Sequence, residues 1–572
     1  MIRNYENEKS YIIIFQIPED EIKNILEDNG ISKYMILNGQ LGVVYASTNF
    51  DSSILTQIPE ITWWEEASPM STLMEITNNI NQGIDIRTSS GVGAFYSPYA
   101  NLTGSGILVA ILDSGIDYLH PDFINEDGTS KIYSIWDQEN ENTNSESQGF
   151  TFGEIFTKED INQAIIDNNP NLSVDRIGTG TITAGIICGN GTINQNYRGI
   201  APGVELIVVK LREYHDTYHE GRINYMSSDF LAGIAYVLSV ARQENKPLII
   251  NLSIGERSSS IYRLSYLNTF TELYQSGTVL VSGAGNEGNT DIHSSGNFQK
   301  TFQGQNSNLT DVIIQVGDDI NLDIRINSLG SDKISAIVIS PAGELSSIAE
   351  YSPDRIPYTG RFNLENTSYE IKYILPSILS DSLYIDIKLK DIRPGIWTIR
   401  LIPEYIINGN FNIYLPNKNL ISANTRFIDA DSTYTITAIG LLREVITVGA
   451  YNEKTNSMWI GSSKGPHGDN DIEPDIVASG VDIISTYIND NYNTATGTGI
   501  SASIVSGALA LIMEYVLSQT VIPQYTLYNE PLKTYLMVGA TRKDIYEYPN
   551  ISQGYGIFNF QNTINIISDN LS

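Results

Sequence analysis

Apolar positions along the chain fall into three regimes, and each predicts its own kind of layer. From residue 11 to about 68, YIIIFQI reads as a strand, EDEIKNILEDNG as a helix closed by Gly30, YMILNG and LGVVYAS as two strands, SSILTQI as a short helix and ITWWEEA as a last strand. That β-α-β-β-α-β order predicts a small ferredoxin-like α+β unit. Beyond it, fully apolar runs such as Ile107 to Leu112 alternate with helical stretches such as Ser228 to Arg242. Runs without polar interruption belong to strands covered on both faces, so a parallel sheet between helices is expected. From about Phe298 to Asn419 the helical period stops, and stretches of alternating polarity follow, from VIIQVG to NFNIYLP, separated by Gly, Pro, Asn and Asp turns. Short strands at that spacing predict an antiparallel sandwich or jelly roll. The α/β pattern resumes at Thr437, which makes the sandwich an insertion. Four segments are therefore expected: 1–70, 71–297, 298–419 and 420–572.

The most apolar stretch, Ala495 to Leu517, runs from a Gly/Thr/Ser-rich turn into a helix with almost no polar face. A helix apolar all round is a buried one. Ser501, Ala502, Ser503, Ser506, Gly507 and Ala508 let neighbouring backbone approach it closely.

Charge narrows the partners. Lys and Arg total 34 against 66 Asp and Glu, a net charge of -32, which speaks against nucleic acid and anionic membrane. The apolar run Tyr11 to Phe15 is too short for a signal-peptide core, and no stretch is expected to span a membrane. Cys188 is the sole cysteine, following Ile186 and Ile187. It reads as a small buried residue, with no intramolecular disulfide available. These features predict a soluble chain made in a cytoplasm without an export signal.

Four segments carry candidate chemistry. GILVAILDSGIDYLHPDF, Gly106 to Phe123, is a buried strand ending in Asp113 and a Gly turn, and open α/β sheets place their sites at that end of a strand. GTGTITAG, Gly178 to Gly185, opens a helix; VLVSGAGNEG, Val279 to Gly288, ends a strand at Asn286; the fourth is the turn into the apolar helix. Alone, Asp-Ser-Gly after a strand is a common turn, and Asn286 before Gly288 is equally well a turn asparagine.

Together the four segments resemble the subtilisin-like serine proteases (peptidase S8 family). The first matches V-A-[IV]-[IL]-D-[ST]-G-[IV]-D-x-x-H-P-D-[FL], placing Asp113 at the triad aspartate. The second stands where G-H-G-T-H-x-A-G is expected, with Thr179 at the general-base position and Ile182 at the second histidine. The fourth stands where G-T-S-x-A-x-P-x-V-x-G is expected, with Gly499 at the nucleophile. Asn286 falls at the oxyanion-hole asparagine. The resemblance implies an α/β subtilisin-like fold with helices on both faces of a parallel sheet, an α+β ferredoxin-like prodomain and an inserted all-β jelly roll. In that family the prodomain is clipped by the enzyme itself. With no nucleophile at residue 499 it should stay attached, the family's junction falling near Glu65 to Leu73.

An inserted jelly roll behind such a prodomain is similar to the Csp proteases of clostridial spores, and replacement of both His and Ser is the pattern of their pseudoprotease members, the CspC type first and the CspA type second. The resemblance implies a catalytically inactive protein of germination signalling, located in the cortex or coat region. Its implied partners are other Csp family proteins or a small germinant, a bile salt or an amino acid. The alternative is an active serine endopeptidase cleaving the cortex hydrolase zymogen. A third reading makes the sandwich a carbohydrate-binding module for cortex peptidoglycan, although Trp397 in GIWTIRL reads as core. No cofactor and no metal are expected. Ser501, about 200° around the helix from Gly499, should point away from the cleft, and Thr498 lacks a base. None of His120, His215, His219, His293 and His467 lies in the base motif. The His215–His219 spacing suits a metal on a helix, but REYHDTYHEGRI lacks H-E-x-x-H and reads as solvated surface.

Overall fold

The computed structural model describes residues 8–80, 83, 84, 86, 102–140, 149–215, 223–257, 266–299, 308–352, 356–374, 382–466, 472–519 and 524–569. Its centre is a nine-stranded sheet. Leu108–Asp113 lies in the middle, pairing in parallel with Glu205–Lys210 on one side and Leu248–Leu252 on the other. Ile132–Asp137 extends one wing, and Thr278–Gly283, Val445–Asn452 and Ile476–Ser479 extend the other, all parallel. Short antiparallel strands, Glu154–Thr157 and Ser457–Met458, add to the two wings.

Because side chains alternate across a strand, the central strand serves two cores. Val109 and Ile111 face the helices Thr179–Cys188 and Thr498–Ser518. Leu108, Ala110 and Leu112 face the helix Ser227–Glu244. The 21 residues of Thr498–Ser518 are long and apolar enough to cross a membrane, so length alone does not set this helix apart, but 83% of its apolar window is buried inside the protein.

The N-terminal unit is a four-stranded antiparallel sheet in the order Tyr34–Asn38, Leu41–Ser47, Glu8–Phe15, Ile61–Glu66. One face, with Ile13, Phe15 and Val44, packs with Ile22 and Leu26 of the helix Glu19–Asp28. The other, with Ile12, Ile14, Val43 and Trp63, continues into the core around Ser227–Glu244. Polar contacts reinforce that face: Arg212 grips Asp229 through Nε and Nη2 at 2.6 Å each, its guanidinium lies 5.1 Å from the Tyr45 ring, and Ser10 and Ser228 hydroxyls meet at 2.8 Å.

The inserted part is two packed antiparallel sheets, one of six strands and one of four. Their common core includes Ile324, Ile385, Ile399 and Trp397, the last fully buried as its alternating position suggests. The sheets reach past 298 and 419, taking in His293–Asn297 and Arg426–Phe427, and Tyr358–Phe362 adds an edge strand. Those three are short and polar, which is why hydrophobic alternation does not reveal them.

Candidate active-site cleft

Asp113 ends the central strand and is completely buried. Its Oδ1 accepts from the Thr179 hydroxyl at 2.6 Å and from Ser114 N at 2.8 Å, and the Thr183 hydroxyl reaches Oδ2 at 3.5 Å. Burial dominates its chemistry and pushes the carboxyl up to about 7; those donors pull the other way, and the neighbouring Asp175 carboxylate adds to the rise. Asp175 is itself tied down by Gly178 N at 2.8 Å, Thr181 N at 3.1 Å and the Thr181 hydroxyl at 2.7 Å. The turn that starts the helix Thr179–Cys188 is thereby fixed, and Thr179 is presented to Asp113 from the helix's first position.

On the other wall, the chain leaving the N-terminal unit enters the cleft as a strand. Pro69–Thr72 lies antiparallel between two edges: Met70 opposite Tyr225 on one side, Thr72 and Ser71 opposite Ile254 and Gly255 on the other. Leu73 N then donates to Ser253 O at 2.8 Å, and Leu73 O accepts from Gly499 N at 2.9 Å. Beyond Leu73 the chain forms another short strand, Ile76 and Glu75 pairing with Ala495 and Thr496. Asn286 stands beside this point, its Oδ1 accepting from Thr498 N and the Thr498 hydroxyl at 3.0 Å each. At Gly497, with φ +151°, a Cβ would lie 2.2 Å from Leu73 O and 3.0 Å from Asn286 Nδ2. The Leu73 carbonyl and the Asn286 amide thus converge on the glycine turn that opens the apolar helix.

A peptide carbonyl held by a helix-start N–H, beside an asparagine amide and across from a buried strand-end aspartate, is the frame in which acyl groups are polarised. The model of the subtilase family matches residues 104–356 and 408–556. The chain belongs to the subtilase family. Among solved structures this subtilase is similar to the CspB protease of Clostridium perfringens, at TM-score 0.74 and 28% identity, over 85% of this chain and 98% of that one. Among curated proteins it is similar to the PIII-type proteinase of Lactococcus lactis subsp. cremoris, 24% identical over 544 residues, covering 84% of this chain and 26% of that protein. It is also similar to the C5a peptidase of Streptococcus pyogenes, 22% identical over 437 residues, covering 72% of this chain and 35% of the other. The subtilase thus spans about a quarter to a third of the length of those curated relatives.

The remaining singled-out residues of the subtilase sort by environment. Ser501 is buried and turned to the sheet, its hydroxyl donating to Ala478 O at 3.0 Å and Ser479 O at 3.2 Å. Thr498 is spent on Asn286. His120 is buried, its Nδ1 accepting from Asp122 N at 3.2 Å. His293 stacks on Tyr414 with centroids 4.6 Å apart, and burial lowers its pKa. His215 lies in a two-residue strand, Tyr214–His215, rather than a helix; His219 and His467 lie outside the described residues. Cys188 is buried, which pushes its thiol up to about 12. Among the described residues no group of three or more His, Cys, Asp or Glu side chains is placed to hold a metal ion. Motif reading misses the contact of the Ser253 hydroxyl with Gly499 O at 3.2 Å, whereas Leu73 closes the junction stretch, Glu65 to Leu73, that the family resemblance implies. Ser253, in LSIG, carries no local signal beyond a strand end.

Proposed function

We propose that this subtilase is catalytically inactive and acts in spore-germination signalling, keeping the protease fold as a receptor or scaffold. The observation that carries the reading is a filled cleft without an attacking group: Leu73 O sits on Gly499 N, while residue 499 has no side chain and the Thr179 hydroxyl is hydrogen-bonded to Asp113. A threonine hydroxyl does not accept a proton near neutral pH. Loss of triad members leaves only about 10³ to 10⁴-fold over water, from binding and the oxyanion donors. The shared core between the N-terminal unit and the body supports a prodomain that stays in place as part of the working molecule. A Csp-type protein, the group from whose resemblance the germination role is proposed, is supported by the likeness to the C. perfringens CspB protease. On this reading the chain takes a small germinant, a bile salt or an amino acid, or regulates an active Csp protease. The activity test is intact mass together with a fluorophosphonate probe. An uncut, unlabelled chain is expected; a labelled residue or a spontaneous cut at the junction overturns inactivity. The signalling role is tested by thermal shift with bile salts and amino acids, and by capture of Csp proteins from spores with full-length bait. Failure of both removes it.

A further inference from the structure

The strand that fills the cleft is held by more than the cleft. Following it outward from Leu73, the backbone pairings to Ile254–Gly255 and Tyr225–Met226 belong to the α/β body. Contacts along its approach come from the body, where the Ser227 hydroxyl accepts from Ser68 N at 3.0 Å, and also from the inserted sandwich. Asn417, between the sandwich strands Asn410–Tyr414 and Arg426–Phe427, is 2% exposed; its Nδ2 donates to the Ser71 hydroxyl at 3.0 Å and to Gly255 O at 3.2 Å. One amide thereby joins the junction strand's side chain to the carbonyl of the strand it pairs with. A carbonyl only accepts, so the nitrogen must face this way. Asn417 Oδ1 is left buried without a hydrogen-bond partner among the described residues.

Upstream of Ser71 the pattern repeats. Glu66, the last residue of the prodomain strand Ile61–Glu66, lies 3.4 Å from Lys388 Nζ of the sandwich and 2.9 Å from Lys9 Nζ. Lys372 Nζ lies 5.7 Å from the Trp64 ring centroid. Tyr384, opposite Ile374 in the same pair of strands, is buried in the core shared by the prodomain and the body. The sandwich therefore touches residues 64, 66 and 71, along the length of chain that delivers Leu73 to Gly499.

We propose that the inserted sandwich is a clasp on the junction strand: Lys388 and Asn417 couple the seating of the sandwich to the seating of Met70–Leu73 in the cleft. Coupling of this kind is reciprocal. A ligand or partner that shifts the sandwich loosens the cleft occupant, and release of the occupant loosens the sandwich. This rests on the reading above that the prodomain stays in place.

The test is hydrogen–deuterium exchange on the full-length chain, comparing wild type with Asn417→Ala and Lys388→Met. Exchange at Met70–Leu73 should rise by about tenfold in Asn417→Ala and by a smaller factor in Lys388→Met, where the pair is more exposed. Exchange in the central strand Leu108–Asp113 should stay at its wild-type rate. Unchanged exchange at Met70–Leu73 overturns the clasp. So does an equal rise in both strands, because the contacts then support the fold at large. Should Asn417→Ala not fold, Ser71→Ala removes the same hydrogen bond from the other side and leaves Asn417 on Gly255 O. The residues the sandwich contacts, 64, 66 and 71, all lie N-terminal to the Leu73–Met74 bond, so the readout holds whether or not that bond is intact. Intact mass decides that separate question.

Discussion

Leu73 O and Gly499 N are joined by a 2.9 Å hydrogen bond that ties the end of the strand Pro69–Thr72 to the first turn of the buried apolar helix. The bond places the Leu73–Met74 peptide, at the C-terminal limit of the stretch expected from sequence, at the point where a subtilase nucleophile would stand. The consequences are testable one residue at a time.

Restoring the missing groups should act on that peptide first. In the double variant Thr179→His with Gly499→Ser, cleavage between Leu73 and Met74 is expected, because the chain is already seated at high effective concentration. A Cβ at residue 499 would lie 3.1 Å from both Leu73 O and Ser253 Cβ, so the neighbours must give way and turnover should be slow. Mass spectrometry of the purified variant reads the cut. A fragment from Thr179→His alone would mean that another nucleophile exists and would sink the assignment of Gly499.

The two glycines of the turn should differ sharply. Gly497→Ala drives a Cβ to 2.2 Å from Leu73 O and 2.8 Å from Met74 Cα, both backbone, so the junction must leave its seat. Gly499→Ala meets nothing closer than 3.1 Å and should cost about 1 kcal/mol. Thermal melts and limited proteolysis across Met70–Ile76 separate the two, and equal behaviour would contradict the placement of Leu73.

Asp113 gives the protein a pH dependence with a defined sign. The carboxyl titrates near 3.8 unfolded and near 7 in the fold, raised chiefly by burial. Between those values the native state holds a proton that the unfolded chain has released. This stabilisation is complete below the unfolded value and is lost as pH rises through 7, by up to about 4 kcal/mol. Asp113→Asn keeps an oxygen for Thr179 and Ser114 N but cannot ionise. Its Tm should exceed that of wild type at about pH 8, with the difference shrinking towards about pH 5. Parallel profiles would show that Asp113 does not titrate in this range.

Thr179→Val removes the closest donor to Asp113 with little change in shape. At neutral pH the loss should be roughly 1–3 kcal/mol, since a buried acceptor is left short of a partner. The carboxyl should rise further, moving the stability fall to higher pH, and Thr179→Ser should restore both. A Thr179→Val melt identical to wild type would mean that the hydroxyl is incidental.

Local pattern in the sequence determined much of this molecule. The apolar runs Tyr11 to Phe15 and Leu108 to Leu112 specify strands buried on both faces, and the polarity period around Trp397 a strand buried on one, because a strand's side chains alternate whatever it pairs with. The composition of Thr498–Ser518 likewise required a buried helix, although length alone could not separate a core helix from a membrane-spanning one. Family motifs located Asp113, Thr179, Asn286 and Gly499 in the chain. Only the tertiary structure decided which groups those positions contact. Thr179 comes from a helix 66 residues after Asp113, and their 2.6 Å contact depends on how that helix lies on the sheet. Leu73 meets Gly499 across more than four hundred residues, and Asn417 reaches Ser71 from the far side of an inserted sandwich. A single sequence carries no local signal for such pairs, because backbone hydrogen bonds are blind to residue type and long-range contacts are fixed only when the packed layers close.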